Sequence, residues 1–234
     1  MENNKKKSLI PKAALIKAWL IWETFPQTCY NYERMMGQVV AHMFSAIIGF
    51  LYKDDPSKRK EVMKREIEFF NVHIEFGSCI LGMAVALEEQ KAMGENIPGE
   101  FITNLKTSLM GPLAGMGDTI WQGVVIPILL AVCIDLTRSG SGNVWGAVIY
   151  AVVIVVAAYA LSYWNFMFGY KAGSEAIMDF LEKGILNKLI KGASIMGCMV
   201  MGGLIVNYVK AVCGLKIVSS TTTYSIQTNF LDQV

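Results

Sequence analysis

The chain has 234 residues, of which 53% are hydrophobic and 17% charged, with a formal net charge of +2 and a mean hydropathy of +0.41. Soluble proteins are usually about 45–50% apolar and about 25% charged. This composition therefore favours a protein partly dissolved in lipid, with a very hydrophobic soluble core as the alternative. The small net charge argues against nucleic acid as a partner. The five cysteines form no CxxC pair, which predicts neither a disulfide framework nor a metal site.

The first predicted element is an amphipathic helix near the N-terminus. Its apolar positions recur at helical spacing, at Leu15, Ala18, Trp19 and Trp22. This pattern favours a helix lying in the headgroup region of a membrane, with an ordinary surface helix as the alternative.

The apolar stretch 39–52 is shorter than the roughly 20 residues of a lipid span. It predicts a helix buried among other helices.

A polar region follows at 53–75 and predicts a loop and then a helix. Asp54, Asp55 and Ser57 can cap the helix start, with Pro56 in its first turn. The region ends in a polar group, Asn71, His73 and Glu75, immediately before the apolar stretch 76–87. This group is either part of a cavity at membrane depth or an interfacial helix end whose side chains are satisfied locally.

Residues 109–136 form an apolar run whose only ionisable groups are Asp118 and Asp135. Four glycines and two prolines interrupt the run. That density of helix breakers favours a broken or re-entrant segment enclosed by protein.

Two further stretches predict transmembrane helices. Residues 144–164 carry no charge and have Trp145 and Trp164 near their ends, where interfacial tryptophan is expected. Residues 193–213 are rich in small residues that suit close helix packing in lipid. The positive-inside rule puts the basic clusters at 53–65 and 183–191 in the cytoplasm and the turn at 139–143 outside. The polar tail after 217 does not predict a span.

Asp118 is the best candidate for a binding residue. A carboxylate inside an apolar run costs about 2.5–3.5 kcal/mol on insertion scales, so it usually faces a cavity, a partner or a ligand. Gln122 lies one helical turn later, Thr119 adds a hydroxyl, and Trp121 offers an apolar face for a sugar ring. The alternative is that Asp118 caps a helix after Gly117.

Motifs for nucleotide and hydrolytic chemistry are missing from the sequence. It contains no GxxxxGK[ST] loop, no GxGxxG and no HExxH, and its only histidines are His42 and His73. The sequence predicts no cofactor and gives little support to a hydrolase or an ATPase. An intramembrane enzyme that uses Asp118 with His73 as acid and base stays a minor hypothesis.

Several ordered motifs resemble the IID subunits of the mannose/fructose/sorbose family of bacterial sugar phosphotransferase systems, over about residues 10–230. They are NYERMMG at 31–37, EFFNVH at 68–73, LGMAVALEEQKA at 81–92, MGPLAGMGDTIWQG at 110–123, GYKAGSEAI at 169–177 and KGASIMGCMVMGGLIVNYV at 191–209. The resemblance implies a single IID domain over 1–234. With the residue patterns it predicts an all-α, polytopic membrane protein with amphipathic N-terminal helices, broken or re-entrant helical segments and transmembrane helices.

The resemblance also implies a function. IID subunits form the sugar translocation unit with a IIC membrane subunit, usually as a trimer of IIC–IID units, in the bacterial cytoplasmic membrane. Soluble IIA and IIB proteins relay phosphate from phosphoenolpyruvate to the sugar, so IID is a non-catalytic transport subunit. The expected partners are therefore IIC, IIA, IIB, membrane lipid and a sugar. A membrane scaffold or bacteriocin receptor without transport activity is the alternative.

Three departures from the family pattern qualify these expectations. Ile74 stands where many members have a proline, Gln122 where mannose-type members have an aromatic residue, and Ile126 where they have an arginine. The last two predict a substrate other than plain mannose: an amino sugar, a galactose-type sugar or a sorbose-type sugar. The family usually continues into another apolar C-terminal segment, which we expect to be missing here.

Overall fold

The computed structural model describes residues 8–138, 144–175, 195, 216–219 and 222–225. Its helices in chain order are α1 (Lys12–Thr24), α2 (Gly37–Ser45), α3 (Ile48–Leu51), α4 (Pro56–Glu66), α5 (Ile74–Ala92), α6 (Gly99–Gly117), a π-helix termed π1 (Asp118–Val125), α7 (Ile126–Arg138) and α8 (Trp145–Glu175). Strands β1 (Lys216–Ser219) and β2 (Thr222–Ser225) form an antiparallel hairpin. The predicted helical membrane fold is confirmed, and this short hairpin lies in the tail that was expected not to form a span.

Two continuous helical stretches are long and apolar enough to cross a membrane. They cover Gly99–Thr137 and Trp145–Gly173. The second contains the predicted span 144–164 almost entirely and extends beyond it. The predicted span 193–213 lies outside the described residues except for Ile195, which is helical.

Of the two alternatives predicted for 109–136, a broken or a re-entrant segment, the structure shows the broken one. The chain stays helical from α6 through π1 into α7, and its irregularity is a change of helix type at Asp118. Pro112 lies inside α6. A helix tolerates a missing donor and wide turns when neighbouring groups satisfy the freed backbone, so breakers in the sequence do not require the chain to turn back.

The central contact of the fold is between α5 and α8, and glycine makes it close. A Cβ atom on Gly82 would overlap the Phe166 carbonyl, and one on Gly169 would overlap the Cys79 carbonyl. A Cβ atom on Gly173 would lie 2.9 Å from that of Ala86. Small residues of this kind let two helix backbones approach each other.

Helix α1 packs its apolar face on α5 and α8. The Trp19 indole donates to Ser162 Oγ at 3.0 Å, and the Trp22 indole donates to Ser78 Oγ at 3.0 Å and to the Ile74 carbonyl at 3.1 Å. Both tryptophans are buried. Protein covers this apolar face and the indole donors find partners there, while the headgroup location of the helix stays a prediction.

Helices α2 and α3 confirm the prediction for 39–52, since Val39, Met43 and Phe44 are fully buried. Helix α4 starts as predicted, with the Asp55 side chain accepting from the Lys58 amide at 3.0 Å and Pro56 in the first turn. Buried ion pairs connect α4 to α5 and α6. They are Arg65–Glu88 and Lys106–Glu66, the latter at 2.7 Å.

Helices α6–π1–α7 and α8 form a long hairpin, and α5 packs along only part of it. The N-terminal end of α5 stops well short of the far end of this hairpin. The first residues of α5 lie beside Gly117 and Asn165, and its last residues lie beside Gly99 and Gly173. About 20 residues of each arm therefore project beyond α5, which is roughly 30 Å at 1.5 Å per residue. This length matches the hydrocarbon thickness of a bilayer, and most apolar side chains along it are exposed.

Candidate functional site

The two polar groups singled out in the sequence line one cleft. It lies where the projecting hairpin meets α5 and has a volume of about 580 Å³, within the range of small-molecule sites. One wall carries Asn71, His73 and Glu75, and the other carries Asp118, Trp121 and Gln122. Segments about 45 positions apart in the chain therefore form a single candidate site.

The wall at 71–75 holds two buried ionisable side chains. His73 and Glu75 are 7% and 8% exposed, and His73 Nδ1 lies 2.9 Å from Glu75 Oε2 without hydrogen-bond geometry. His73 Nδ1 therefore has no hydrogen-bond partner among the described residues. Asn165 of α8 fixes the wall by donating to the Glu75 carbonyl at 3.1 Å. A buried ring nitrogen without a well-formed hydrogen bond is uncommon, and this one belongs to a side chain that lines the cleft.

Gly117 lets the opposite wall approach His73. A Cβ atom on Gly117 would overlap Cβ and Cγ of His73. The absence of a side chain at this one position brings the end of α6 directly over the imidazole. Asp118 then enters the cleft one residue later.

The π-helix presents three side chains at the cleft. Asp118 and Gln122 are exposed, and Trp121 is buried at 7%. Asp118 has ordinary helical backbone angles and is the first residue of π1, whose N-cap position is Gly117, so the alternative that Asp118 caps the start of a helix is wrong. Because Asp118 faces an open cleft, its carboxylate does not have to be buried in lipid.

Thr119 is the predicted site residue that does not line the cleft. Its hydroxyl donates to the Gly115 carbonyl at 2.7 Å, which satisfies the hydroxyl within the helix. A role for Thr119 in binding stays a prediction that this geometry does not favour.

A family model matches residues 9–234, and its description is PTS system mannose/fructose/sorbose family IID component. The chain belongs to this IID family. It is 38% identical over 181 residues to the mannose-specific EIID component of Escherichia coli K12, an alignment that covers 76% of this chain. It is 31% identical over 238 residues to the sorbose-specific EIID component of Lacticaseibacillus casei, covering 98% of this chain and 81% of that one.

Solved structures agree with this assignment. The cryo-EM structure of the mannose transporter ManYZ in complex with microcin E492 matches with a TM-score of 0.77 and 32% identity, covering 97% of this chain and 83% of that one. The alignment with the mannose-specific E. coli protein spans 62% of that relative's length.

Sequence reasoning missed the third side of this IID cleft. Gln27, Tyr30 and Met36, from the loop between α1 and α2, line it as well. The Tyr30 hydroxyl donates to Asn71 Oδ1 at a long 3.5 Å. Their nearness to Asn71 depends on tertiary packing of α1, and no local pattern signals it. The only signal was the neighbouring family motif at 31–37.

The cleft suits a polyol. Its amide, carboxylate and imidazole groups can exchange hydrogen bonds with hydroxyls, and Trp121 adds apolar surface. Its two carboxylates, Glu75 and Asp118, have no lysine or arginine among the lining residues. Among the described residues, no group of three or more His, Cys, Asp or Glu side chains is arranged to hold a metal ion.

Proposed function

We propose that the chain is a membrane subunit of a phosphoenolpyruvate-dependent sugar phosphotransferase permease. It forms the sugar translocation unit with a IIC subunit, and phosphocarriers IIA and IIB perform the phosphoryl transfer. The observation that carries the proposal is the cleft, because membership of a transport family coincides with a polar, sugar-sized site at the base of a membrane-spanning hairpin. The proposed location is the bacterial cytoplasmic membrane, with the chain crossing it more than once.

The proposed partner surface lies on the projecting hairpin. Many of its large apolar side chains are exposed in the chain alone, among them Ile128, Val132 and Val156. Lipid and a IIC subunit together would cover them. A trimer of IIC–IID units, as the family resemblance implies, would bury part of this surface at contacts between subunits.

The charges in the cleft support an amino sugar as substrate. Glu75 and Asp118 give an excess of negative charge that favours a protonated amine over a neutral hydroxyl. Gln122 replaces the aromatic residue of mannose-type members and adds a hydrogen-bonding amide. We therefore expect galactosamine to compete better than mannose, galactose or sorbose for uptake. If mannose competes best and Gln122→Phe changes nothing, the substrate proposal is wrong.

The transport proposal is tested by phosphoenolpyruvate-dependent sugar uptake in cells that carry the IIA, IIB and IIC partners. Uptake is expected with this chain and lost on its deletion. Gly117→Ala pushes His73 out of place and should reduce uptake at least tenfold. Gly49→Ala, where a Cβ atom meets nothing within 4 Å, is the matched control. Equal uptake with and without the chain would refute the proposal.

A second candidate function is that of a receptor without transport activity. The observation in its favour is that the related ManYZ transporter has been solved with a bound microcin. If this chain binds such a peptide in membranes but supports uptake with no IIC subunit, the receptor function replaces the transport proposal.

A further inference from the structure

The end of α1 brings a third ionisable side chain behind the cleft. Glu23 lies one helical turn after Trp19, so both side chains face the same way. Trp19 donates to Ser162, and the Trp22 indole donates to the carbonyl of Ile74, which lies between His73 and Glu75. Glu23 is therefore held between α8 and the wall of the cleft, although it does not line the cleft itself.

The Glu23 carboxyl is incompletely satisfied there. Its Oε2 atom is buried and has no hydrogen-bond partner among the described residues. The Ser162 hydroxyl forms a hydrogen bond with this carboxyl. The same hydroxyl oxygen lies 2.7 Å from Ser78 Oγ. A proton on Glu23 would give the buried oxygen a donor function, whereas a negative charge there would be stabilised by few neighbours.

We propose that Glu23 is a positioning residue for the sugar cleft, whose negative charge beside the Glu75–His73 wall links sugar binding to pH. The inference rests on the proposed transport function. The ionisable groups around Glu23 are His73 and Glu75 at the start of α5, with Asp118 across the cleft on π1. Helix α8 contributes the uncharged Ser162 and Asn165.

The electrostatics agree with this role. The pKa of Glu23 is raised to about 7, chiefly by burial; the hydrogen bond from Ser162 lowers it, the charge of Glu75 raises it and His73 lowers it. Below pH 7, Glu23 is mostly neutral. Above pH 7, Glu23 carries a negative charge beside Glu75, and we expect the repulsion between the two side chains to displace Glu75 and the adjacent His73.

The test uses the full chain assembled with its IIC subunit in membranes. Radiolabelled mannose, galactose, galactosamine and sorbose are each bound at pH 6 and pH 8. For the sugar that binds, wild-type affinity should fall about three- to tenfold over this range, the effect of roughly one unit of coupled pKa. Glu23→Gln should bind the sugar with the same affinity at both pH values. Glu23→Asp, which keeps a carboxyl, should retain the dependence of affinity on pH.

Infrared spectroscopy reports the proton directly. The wild-type complex should show a protonated carboxyl band that disappears between pH 6 and pH 8, and Glu23→Gln should lack it. Glu33→Gln is the control, because Glu33 is 81% exposed and pairs with Arg34 at 3.5 Å. It should behave like the wild type in both measurements.

The outcomes separate the two proposals. If a sugar binds but Glu23→Gln keeps the wild-type pH dependence, or if the infrared band survives the substitution, the role of Glu23 is refuted and the transport function stands. If no sugar binds to the wild-type complex at either pH, the transport function fails and this inference fails with it.

Discussion

At the scale of single residues, the chain contains buried charges whose loss should be costly. Glu66 is completely buried and pairs with Lys106, which is 4% exposed. Lys106→Met removes the closer cation and leaves Glu66 with Arg65 Nε at 3.6 Å, so it should lower the free energy of unfolding by up to about 3–5 kcal/mol. Denaturant unfolding in detergent measures the change.

An exposed pair provides the control. Lys58 and Asp55 lie 3.7 Å apart with largely exposed side chains, so Lys58→Met should cost less than about 1 kcal/mol. The double variant Lys106→Met with Glu66→Leu should recover most of the lost stability. If Lys106→Met unfolds at the same midpoint denaturant concentration as the wild type, the burial of Glu66 does not depend on its ion pair with Lys106.

Glu23 gives a stability prediction that does not require any ligand. Its pKa in the folded chain is about 7, above the ordinary value of 4.5, so the folded state holds the proton more tightly than the unfolded state. The contribution of Glu23 to stability should therefore be fully present below about pH 4.5 and be lost as pH rises through about 7. Glu23→Gln should unfold at a higher temperature than wild type at pH 8 and at a similar temperature at pH 5. A constant difference between the two chains at all pH values would contradict this.

Residue patterns identified both polar walls of the cleft but not their relation. Asp118 stood out as a carboxylate in an apolar run, and Asn71, His73 and Glu75 as a polar group before one. Their meeting depends on Gly117, which has no side chain to separate α6 from His73. Glu23 gave no signal in the sequence, because its burial results from the packing of α1 on α8.

At the scale of helices, glycine positions distinguish closed contacts from open surfaces. Gly82→Ala places a methyl group against the Phe166 backbone, which cannot move aside as a flexible side chain would. Separation of α5 from α8 should cost about 1–3 kcal/mol. Gly111→Ala is the matched control in α6, because its Cβ atom meets nothing within 4 Å. The control should be neutral or more stable by up to about 1 kcal/mol, the difference in helix propensity. Equal destabilisation by both substitutions would contradict the packing.

The helices differ in how well the sequence predicted them. Uniform apolarity defined the span in α8, and a capping residue with a proline defined the start of α4. The stretch 109–136 was predicted only as a broken or re-entrant segment, because breaker residues indicate where a helix deviates and not how. In the folded chain the deviation is absorbed by π1, a change of helical geometry that residue types alone do not specify.

At the scale of the whole molecule, one face of α6 has room for a helix of another subunit to pack against it. Cβ atoms on Gly111 and Gly115 would meet nothing within 4 Å, and these glycines stand on the surface of the long hairpin. If the IIC subunit packs there, Gly111→Leu should weaken co-purification with IIC about five- to hundredfold, the effect of roughly 1–3 kcal/mol of overpacking. Stability of the isolated chain should not change. Wild-type co-purification would place the IIC contact on another face.

The central claim is that sugar occupies the cleft between the wall at 71–75 and π1. The most direct measurement is a cryo-EM structure of the chain in complex with its IIC subunit and saturated with the sugar that competes best for uptake. Sugar density is expected within hydrogen-bonding distance of His73 and Asp118, with the sugar ring against Trp121. Density for the sugar elsewhere, with these three side chains contacting only protein, would contradict it.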